Sequence, residues 1–108
     1  MKILTIQETK ERLLDFAYSR GEYIRHVSDY EYQTRCPYCG DSQKDFNTGH
    51  FYFRVNVDDN YVIPSHCFKC NFNGIVNAET LELMGNTDIE LTNGINHLNR
   101  RGRYIKGT

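Results

Sequence analysis

The sequence lacks the features that mark membrane proteins, secreted proteins and strongly basic proteins. No apolar run approaches the roughly 20 residues that a membrane-spanning helix needs, and the N-terminal segment has no long apolar stretch typical of secretion signals. We therefore expect a cytoplasmic protein that does not act at a membrane. The formal net charge is −1, so overall charge does not indicate nucleic-acid binding. The one local excess of positive charge is in residues 97–108, where four basic residues occur with no acidic one.

The chain also has no tryptophan and no internal repeat. At 108 residues, 39% of them hydrophobic, it is long enough for one domain with a modest core. A domain of this size buries a limited share of its surface, so it often depends on a metal ion or on disulfide bonds for stability. The arrangement of the cysteines indicates which of these two supports is present.

All four cysteines lie in two Cys-x-x-Cys pairs, Cys36 with Cys39 and Cys67 with Cys70, with 27 residues between the pairs. Two such turns direct four thiolates at one point about 2.3 Å from each sulfur, which is the coordination of structural zinc. Because protein fills all four positions, the site is closed and does not favour a zinc hydrolase. A cytoplasmic setting disfavours two disulfides, and a redox Cys-x-x-Cys would need a βαβ frame that the sequence does not show. A four-cysteine iron–sulfur cluster is the alternative that stays open.

Two histidines lie near the cysteines in the sequence. His66 directly precedes Cys67, and His50 opens a segment with strand character. Because four cysteines already complete a tetrahedron, we expect both to be surface residues or neighbours of the ligands rather than ligands. His26 and His97 have no partner at ligand spacing.

Alternation of apolar and polar residues predicts strands around the cysteine pairs. In residues 50–57 the apolar side chains fall on one face of the strand and the other side chains on the opposite face. The apolar set is Phe51, Phe53, Val55 and Val57, and the other set is His50, Tyr52, Arg54 and Asn56. Residues 58–60 have turn composition, and residues 61–66 return as the antiparallel partner that leads into the second cysteine pair. Residues 29–35 lead into the first pair in the same way. The expected fold is an α+β zinc ribbon, with a small antiparallel sheet of three to four strands and flanking short helices.

Helical patterns flank the ribbon. Residues 5–21 begin with a capping-box pair and end at a glycine, and residues 74–85 predict a second short helix. We expect residues 1–85 to form the zinc-ribbon domain together with the N-terminal helix. We expect residues 86–108 to be a weakly structured basic linker or tail, although four apolar residues there allow a short helix.

The motif around the cysteines is more specific than a bare four-cysteine ribbon. It opens with Cys36-Pro37-Tyr38-Cys39, continues through a polar loop and the strand of residues 50–57, and closes with His66-Cys67-Phe68-Lys69-Cys70 before a turn and a helix. In this order the segments resemble the N-terminal zinc-binding domain of bacterial- and phage-type DNA primases, over about residues 30–85. Cys39 stands where most cellular primases have a histidine, and Asn73-Gly74-Ile75 replaces the usual Gly-Gly-Asp.

The resemblance implies a function in DNA replication. The zinc domain of such a primase helps to recognise the single-stranded DNA template and supports RNA primer synthesis, in the host cytoplasm if a phage encodes it. The implied partners are the polymerase domain of the primase and a replicative helicase. Nucleotidyl transfer belongs to that polymerase domain, and we identify no catalytic residue in this sequence.

Single-stranded nucleic acid is held by aromatic stacking together with cations along the backbone. The residues that fit this pattern on the ribbon are Tyr52, Arg54, Lys69, His50, Lys44 and Phe68. Two alternatives compete with DNA binding. In the first alternative, the polar face of the strand is only solvated and Phe68 packs over the cysteine pair. In the second, the ribbon is a protein–protein adaptor in a replication or transcription complex, a function that the near-neutral net charge suits.

Overall fold

A five-stranded antiparallel sheet and three helices make up the residues that the computed structural model describes, 2–41 and 44–104. Each strand pairs with the next one along the chain, so the spatial order of the strands is their sequence order. No helix of the described residues is long and apolar enough to cross a membrane. The elements in chain order are α1 (Ile6–Ser19), β1 (Ile24–Ser28), β2 (Glu31–Thr34), β3 (Phe51–Arg54), β4 (Pro64–Cys67), β5 (Asn73–Ile75), α2 (Ala78–Leu83) and α3 (Ile89–Arg101).

The predicted α+β class and antiparallel sheet are confirmed. The sheet has five strands rather than three to four, because β1 and β5 add to its two edges. The second helix was predicted from residue 74 but begins at Ala78, since the preceding residues pair with β4 instead. Asn77 then caps α2, and its side chain accepts the backbone N–H of Thr80.

The alternation predicted for residues 50–57 is present in β3. Phe51 and Phe53 are 1% and 3% exposed and lie in a core that contains apolar side chains of all three helices. Residues that pair across antiparallel strands point to the same side of a sheet. Gln33, Tyr52 and His66 therefore share the opposite side, which we call the outer face, together with Arg54.

The C-terminal part of the chain differs from the prediction of a weakly structured tail. Residues 89–101 form α3, and Leu91, Ile95 and Leu98 are fully buried against the sheet core. Their spacing gives one apolar stripe along a helix, but the Asn-Gly pair within the segment resembles a turn by composition. That glycine, Gly94, allows close contact with α1, since an added Cβ would lie 2.3 Å from the Thr9 hydroxyl. Residues 105–108 of the predicted tail lie outside the described residues.

The segment after α3 folds back onto the connection between β3 and β4. Arg103 forms a parallel bridge with Tyr61, and its N–H and C=O bond the backbone of Asn60 and Val62 at 2.7 and 2.9 Å. The hydroxyl of Tyr104 donates to the carbonyl of Asn99 at 2.6 Å. These bonds fix the position of residues 103 and 104 beside the sheet.

Lys10 is a charged residue inside the fold. Its side chain is 1% exposed, and its ammonium donates to the carboxylate of Asp59 at 2.6 Å. It also donates to the carbonyls of Asn56 and Asp59 at 2.9 and 3.0 Å. Three acceptors satisfy the three N–H groups, so α1 is tied to the β3–β4 connection through one buried cation.

Replacing Lys10 tests how much this buried cation contributes to the stability of the fold. Lys10→Met keeps the apolar stem but leaves two carbonyls and a carboxylate without their donor, so we expect a loss of about 3 kcal/mol of unfolding free energy. The matched control is Lys2→Met, because Lys2 contacts Glu8 at the same 2.6 Å but is 56% exposed. That control should melt like the parent protein. Equal denaturant midpoints for the two variants would contradict the structural role of Lys10.

Candidate metal centre

Both cysteine pairs lie on turns of the same shape. Cys36 follows β2 by two residues and Cys67 ends β4. In each turn the first cysteine's carbonyl accepts the N–H four residues later, from Gly40 at 3.0 Å and from Asn71 at 2.9 Å. Both of these residues have left-handed backbones, with φ of 73° and 64°, a conformation that glycine and asparagine adopt at low cost. The turns therefore present both cysteines of each pair toward one point.

The four sulfur atoms meet in one cluster. The Sγ atoms of Cys36 and Cys70 lie 3.9 Å apart, as do those of Cys39 and Cys67, and all four lie within 4.8 Å of one another. Tetrahedral zinc with 2.3 Å bonds requires sulfur separations of about 3.8 Å, so the cluster fits the ion. The separations are too long for disulfide bonds, which need about 2.05 Å, and all four cysteines are free. The cluster could thus hold a metal such as zinc, and His50 and His66 are not part of it.

The cluster combines buried thiols with backbone hydrogen bonds. Burial raises the pKa of the Cys36 and Cys67 thiols, whereas a hydrogen bond from the backbone of Phe72 is the main cause that lowers the pKa of Cys70. Backbone N–H groups of Tyr38 and Lys69 approach the sulfurs of Cys36 and Cys67, both at 3.3 Å. When zinc binds, it stabilises the thiolate form that burial disfavours. The turns supply N–H donors that favour the same form.

Asp41 connects the two cysteine turns, a role that the sequence pattern did not predict. It is 3% exposed, and one carboxylate oxygen accepts the backbone N–H groups of Cys36 and His50, both at 2.9 Å. The other oxygen bonds the ring Nδ1 of His50, whose carbonyl accepts the N–H of Phe68 in the second turn at 2.9 Å. Burial raises the pKa of Asp41, but the bonds from the His50 side chain and from the two N–H groups outweigh it and leave the pKa lowered. The sequence signal was an aspartate directly after the Cys-Gly of the first pair.

Arg35 is a second residue that the sequence analysis did not assign. It is 7% exposed, and its guanidinium donates to the carbonyls of Gly40 and Asp45, both at 2.8 Å, and of Thr48 at 3.2 Å. Its Cζ also lies 4.8 Å from the centroid of the Phe46 ring. One buried guanidinium therefore connects the carbonyls of residues 40, 45 and 48, which follow the first cysteine pair.

Three of the six predicted DNA-contact residues line one groove on the outer face. Tyr52, Arg54 and Phe68 border a groove of about 490 Å³ together with His66. The ring of Phe68 meets those of Tyr52 and His66 at centroid distances of 5.2 and 4.5 Å and at angles of 81° and 73°.

The other three predicted DNA-contact residues do not line this groove. Lys44 and Lys69 are exposed at other positions of the described structure. His50 is bonded to Asp41, as described above.

Comparison with known proteins adds no family assignment. The chain matches no protein-family model and no curated protein sequence. The geometry by itself supports a small α+β domain with a four-cysteine cluster suited to zinc. Any more specific function is therefore a proposal that rests on the motif and on the surface beside it.

We expect the purified protein to contain one zinc ion per chain, bound by the four cysteines. Structural zinc contributes on the order of 10 kcal/mol to the folding of small domains, so a strong chelator should unfold the ribbon. Metal analysis gives the stoichiometry, and circular dichroism with and without chelator follows the fold. An iron–sulfur absorption band or two disulfides would contradict the first expectation, and an unchanged melt after proven zinc loss would contradict the second.

Asp41→Asn should weaken zinc binding about 10- to 100-fold, the usual effect of altering a residue that orients metal ligands. Asparagine tolerates the left-handed backbone of residue 41, φ 60°, so the change tests the carboxylate rather than backbone strain. A competition titration with a chromogenic chelator measures the affinity. The control is Asp58→Asn in the exposed β3–β4 turn, and equal zinc affinities for the two variants would argue against the bridging role.

Proposed function

We propose that this protein is a zinc-stabilised module that binds single-stranded DNA across its outer face, as the template-recognition domain of a DNA primase. The observation that carries the proposal is the position of Tyr52, His66, Phe68 and Arg54. These side chains line one groove, on the sheet face opposite the buried core and beside the second cysteine pair. The motif resemblance to primase zinc domains supports the same function.

The aromatic side chains of the groove suit stacking by bases. Phe68 is 65% exposed, although a large apolar ring is usually covered. Its contacts with Tyr52 and His66 are near-perpendicular, so the Phe68 ring stacks on neither of them. Each base that stacks on such a ring contributes about 1–3 kcal/mol, with little dependence on sequence.

The groove is lined by one basic and one acidic residue, Arg54 and Glu31, which pair across β2 and β3, so it offers a single cation for a phosphate contact. Arg54 is exposed, and no carboxylate of residues 2–41 and 44–104 forms a salt bridge with it. Its Cζ lies 5.4 Å from the centroid of the Tyr30 ring, which supports the guanidinium from one side. With a net charge of −1, stacking rather than charge would dominate the affinity, and the salt dependence would be shallow.

Zinc has a structural role in this proposal. It would hold Phe68 and Lys69 in place, because both residues lie between Cys67 and Cys70. Four protein ligands leave no open coordination position for a substrate. Primer synthesis would accordingly belong to a separate polymerase domain, with which this module and a replicative helicase would act.

Arg54→Ala should weaken binding of single-stranded DNA and lower the slope of log affinity against log salt by about one unit. The measurement is a fluorescence-anisotropy titration at several salt concentrations, with thermal melts of each variant. Arg100→Ala is the charge-matched control, because Arg100 is exposed on α3 and does not line the groove. Phe53→Ala, which opens the core, should instead cost about 3–5 kcal/mol of stability.

The same titration separates DNA binding from the adaptor function. If Arg54→Ala and Arg100→Ala bind DNA with equal affinity at every salt concentration, the outer face is not the template surface. If the parent protein binds no single-stranded DNA, the adaptor function is favoured. The test of that function is a binding assay with the polymerase domain or helicase of the same replication system.

A further inference from the structure

A second, larger cavity lies at the end of the outer face, where the β3–β4 connection meets the C-terminal segment. It has a volume of about 920 Å³, within the range of small-ligand sites, about 300–1,000 Å³. We call it the C-terminal cavity. Val62 and Pro64 contribute apolar surface to its lining, and the remaining lining residues are Lys10, Arg54, Asn56, Asp59, Tyr61, Arg103 and Tyr104.

The lining of this cavity carries a net positive charge. Lys10 and Asp59 neutralise each other, and the Lys10 ammonium has all its hydrogen bonds satisfied. Arg54 and Arg103 are the two other charged residues of the lining. No carboxylate of the described ranges, 2–41 and 44–104, forms a salt bridge with either of them. Two guanidinium groups beside one cavity favour a ligand with phosphate or carboxylate groups.

The aromatic side chains of the cavity are exposed and held in place. Tyr104 is 56% exposed and Tyr61 is 38% exposed. The hydroxyl of Tyr104 is bonded to the carbonyl of Asn99, so its ring is oriented without being covered. The backbone bonds of Arg103 to residues 60 and 62 fix the chain next to it. Exposed rings beside cations match the chemistry that binds single-stranded nucleic acid.

The cavity continues the groove of the outer face. Arg54, Val62, Pro64 and Tyr104 line both. From Phe51 to Arg54 the strand β3 extends about 10 Å at about 3.3 Å per residue. The cavity lies at the Arg54 end of this strand. A ligand that extends along the groove of the outer face therefore reaches the cavity at Arg54, which lines both.

We propose that the C-terminal cavity is a further nucleotide subsite for the single strand bound on the outer face, with Tyr104 stacking on a base and Arg103 contacting a phosphate. This inference rests on the proposed function, since the strand enters from the outer groove. An acidic peptide has some of the required chemistry. The continuity with the row of aromatic side chains favours the nucleic-acid strand.

The experiment measures affinity against strand length. Labelled oligothymidylates from about 4 to about 16 nucleotides cover the known range of single-strand site sizes. The parent protein should gain affinity with length until the strand also fills the cavity. Tyr104→Ala should weaken the binding of long strands about tenfold, the effect of one lost stacking contact. Short strands should lose less affinity, because Tyr104 is only at the border of the outer groove that they fill. Tyr104→Phe keeps the ring but removes the hydroxyl bond to Asn99, so it should lose clearly less affinity than Tyr104→Ala.

Arg103→Ala provides a second variant, because its backbone rather than its side chain forms the bridge to residues 60 and 62. It should lower the salt slope by about one unit for long strands only. The control is Arg101→Ala, which removes the same charge at the end of α3, outside the cavity lining. Thermal melts establish that each variant is folded.

The outcomes distinguish the two proposals. If Arg54→Ala weakens binding at all lengths while Tyr104→Ala and Arg103→Ala follow the parent, the subsite is refuted and the outer-face function stands. If Tyr104→Phe loses as much affinity as Tyr104→Ala, stacking is refuted. If the parent protein binds no strand of any length, both proposals fail. Saturable binding of thymidine monophosphate in the cavity without a length effect would refute the continuing strand as its occupant.

Discussion

Convergence of four cysteine sulfurs is the constraint on which the rest of this structure depends. The first pair follows β2 and the second begins at the end of β4, so a bound metal joins two strands that are separated by β3. Phe51 of β3 is paired with Thr34 on one side and with Cys67 on the other. A slip of one residue would bring Tyr52 and Arg54 into the core and place Phe51 and Phe53 in water. The sulfur cluster and the apolar core thus specify the same strand register. A slip of β3 would disrupt both of them.

The parts of the structure that were predictable are those that depend on local pattern. The spacing of four cysteines predicted the cluster, and alternation in residues 50–57 predicted which side of β3 is buried. The edge strands and α3 were harder to predict, because their positions depend on partners that are distant in the sequence. In α3 the Asn-Gly pair resembles a turn, and only contact with Thr9 of α1 explains why a glycine occurs within that helix.

The roles of the polar residues that organise the site could not be predicted, for a related reason. Asp41, Arg35 and Lys10 all resemble surface residues in the sequence, yet each is less than a tenth exposed. Each satisfies several backbone groups in connections that have no regular secondary structure, and buried backbone groups require such partners. A sequence shows that charged residues are present, but it does not show which carbonyls and N–H groups the fold leaves without a partner. For the candidate site, therefore, the cysteine cluster was predictable and the residues that support it were not.

The second cysteine turn links metal binding to recognition in the proposed function. Phe68 is the most exposed aromatic side chain of the outer groove, and it lies between two sulfur ligands. Its N–H bonds the carbonyl of His50, which Asp41 ties to the first turn, so both turns determine where the ring lies. Under this proposal, a strand that stacks on Phe68 would bind the metal-bound turn in preference to the metal-free one. By thermodynamic linkage the strand must then stabilise the metal-bound form by the same free energy with which the metal favours the strand. A site with no open coordination position can in this way control binding without contacting the ligand.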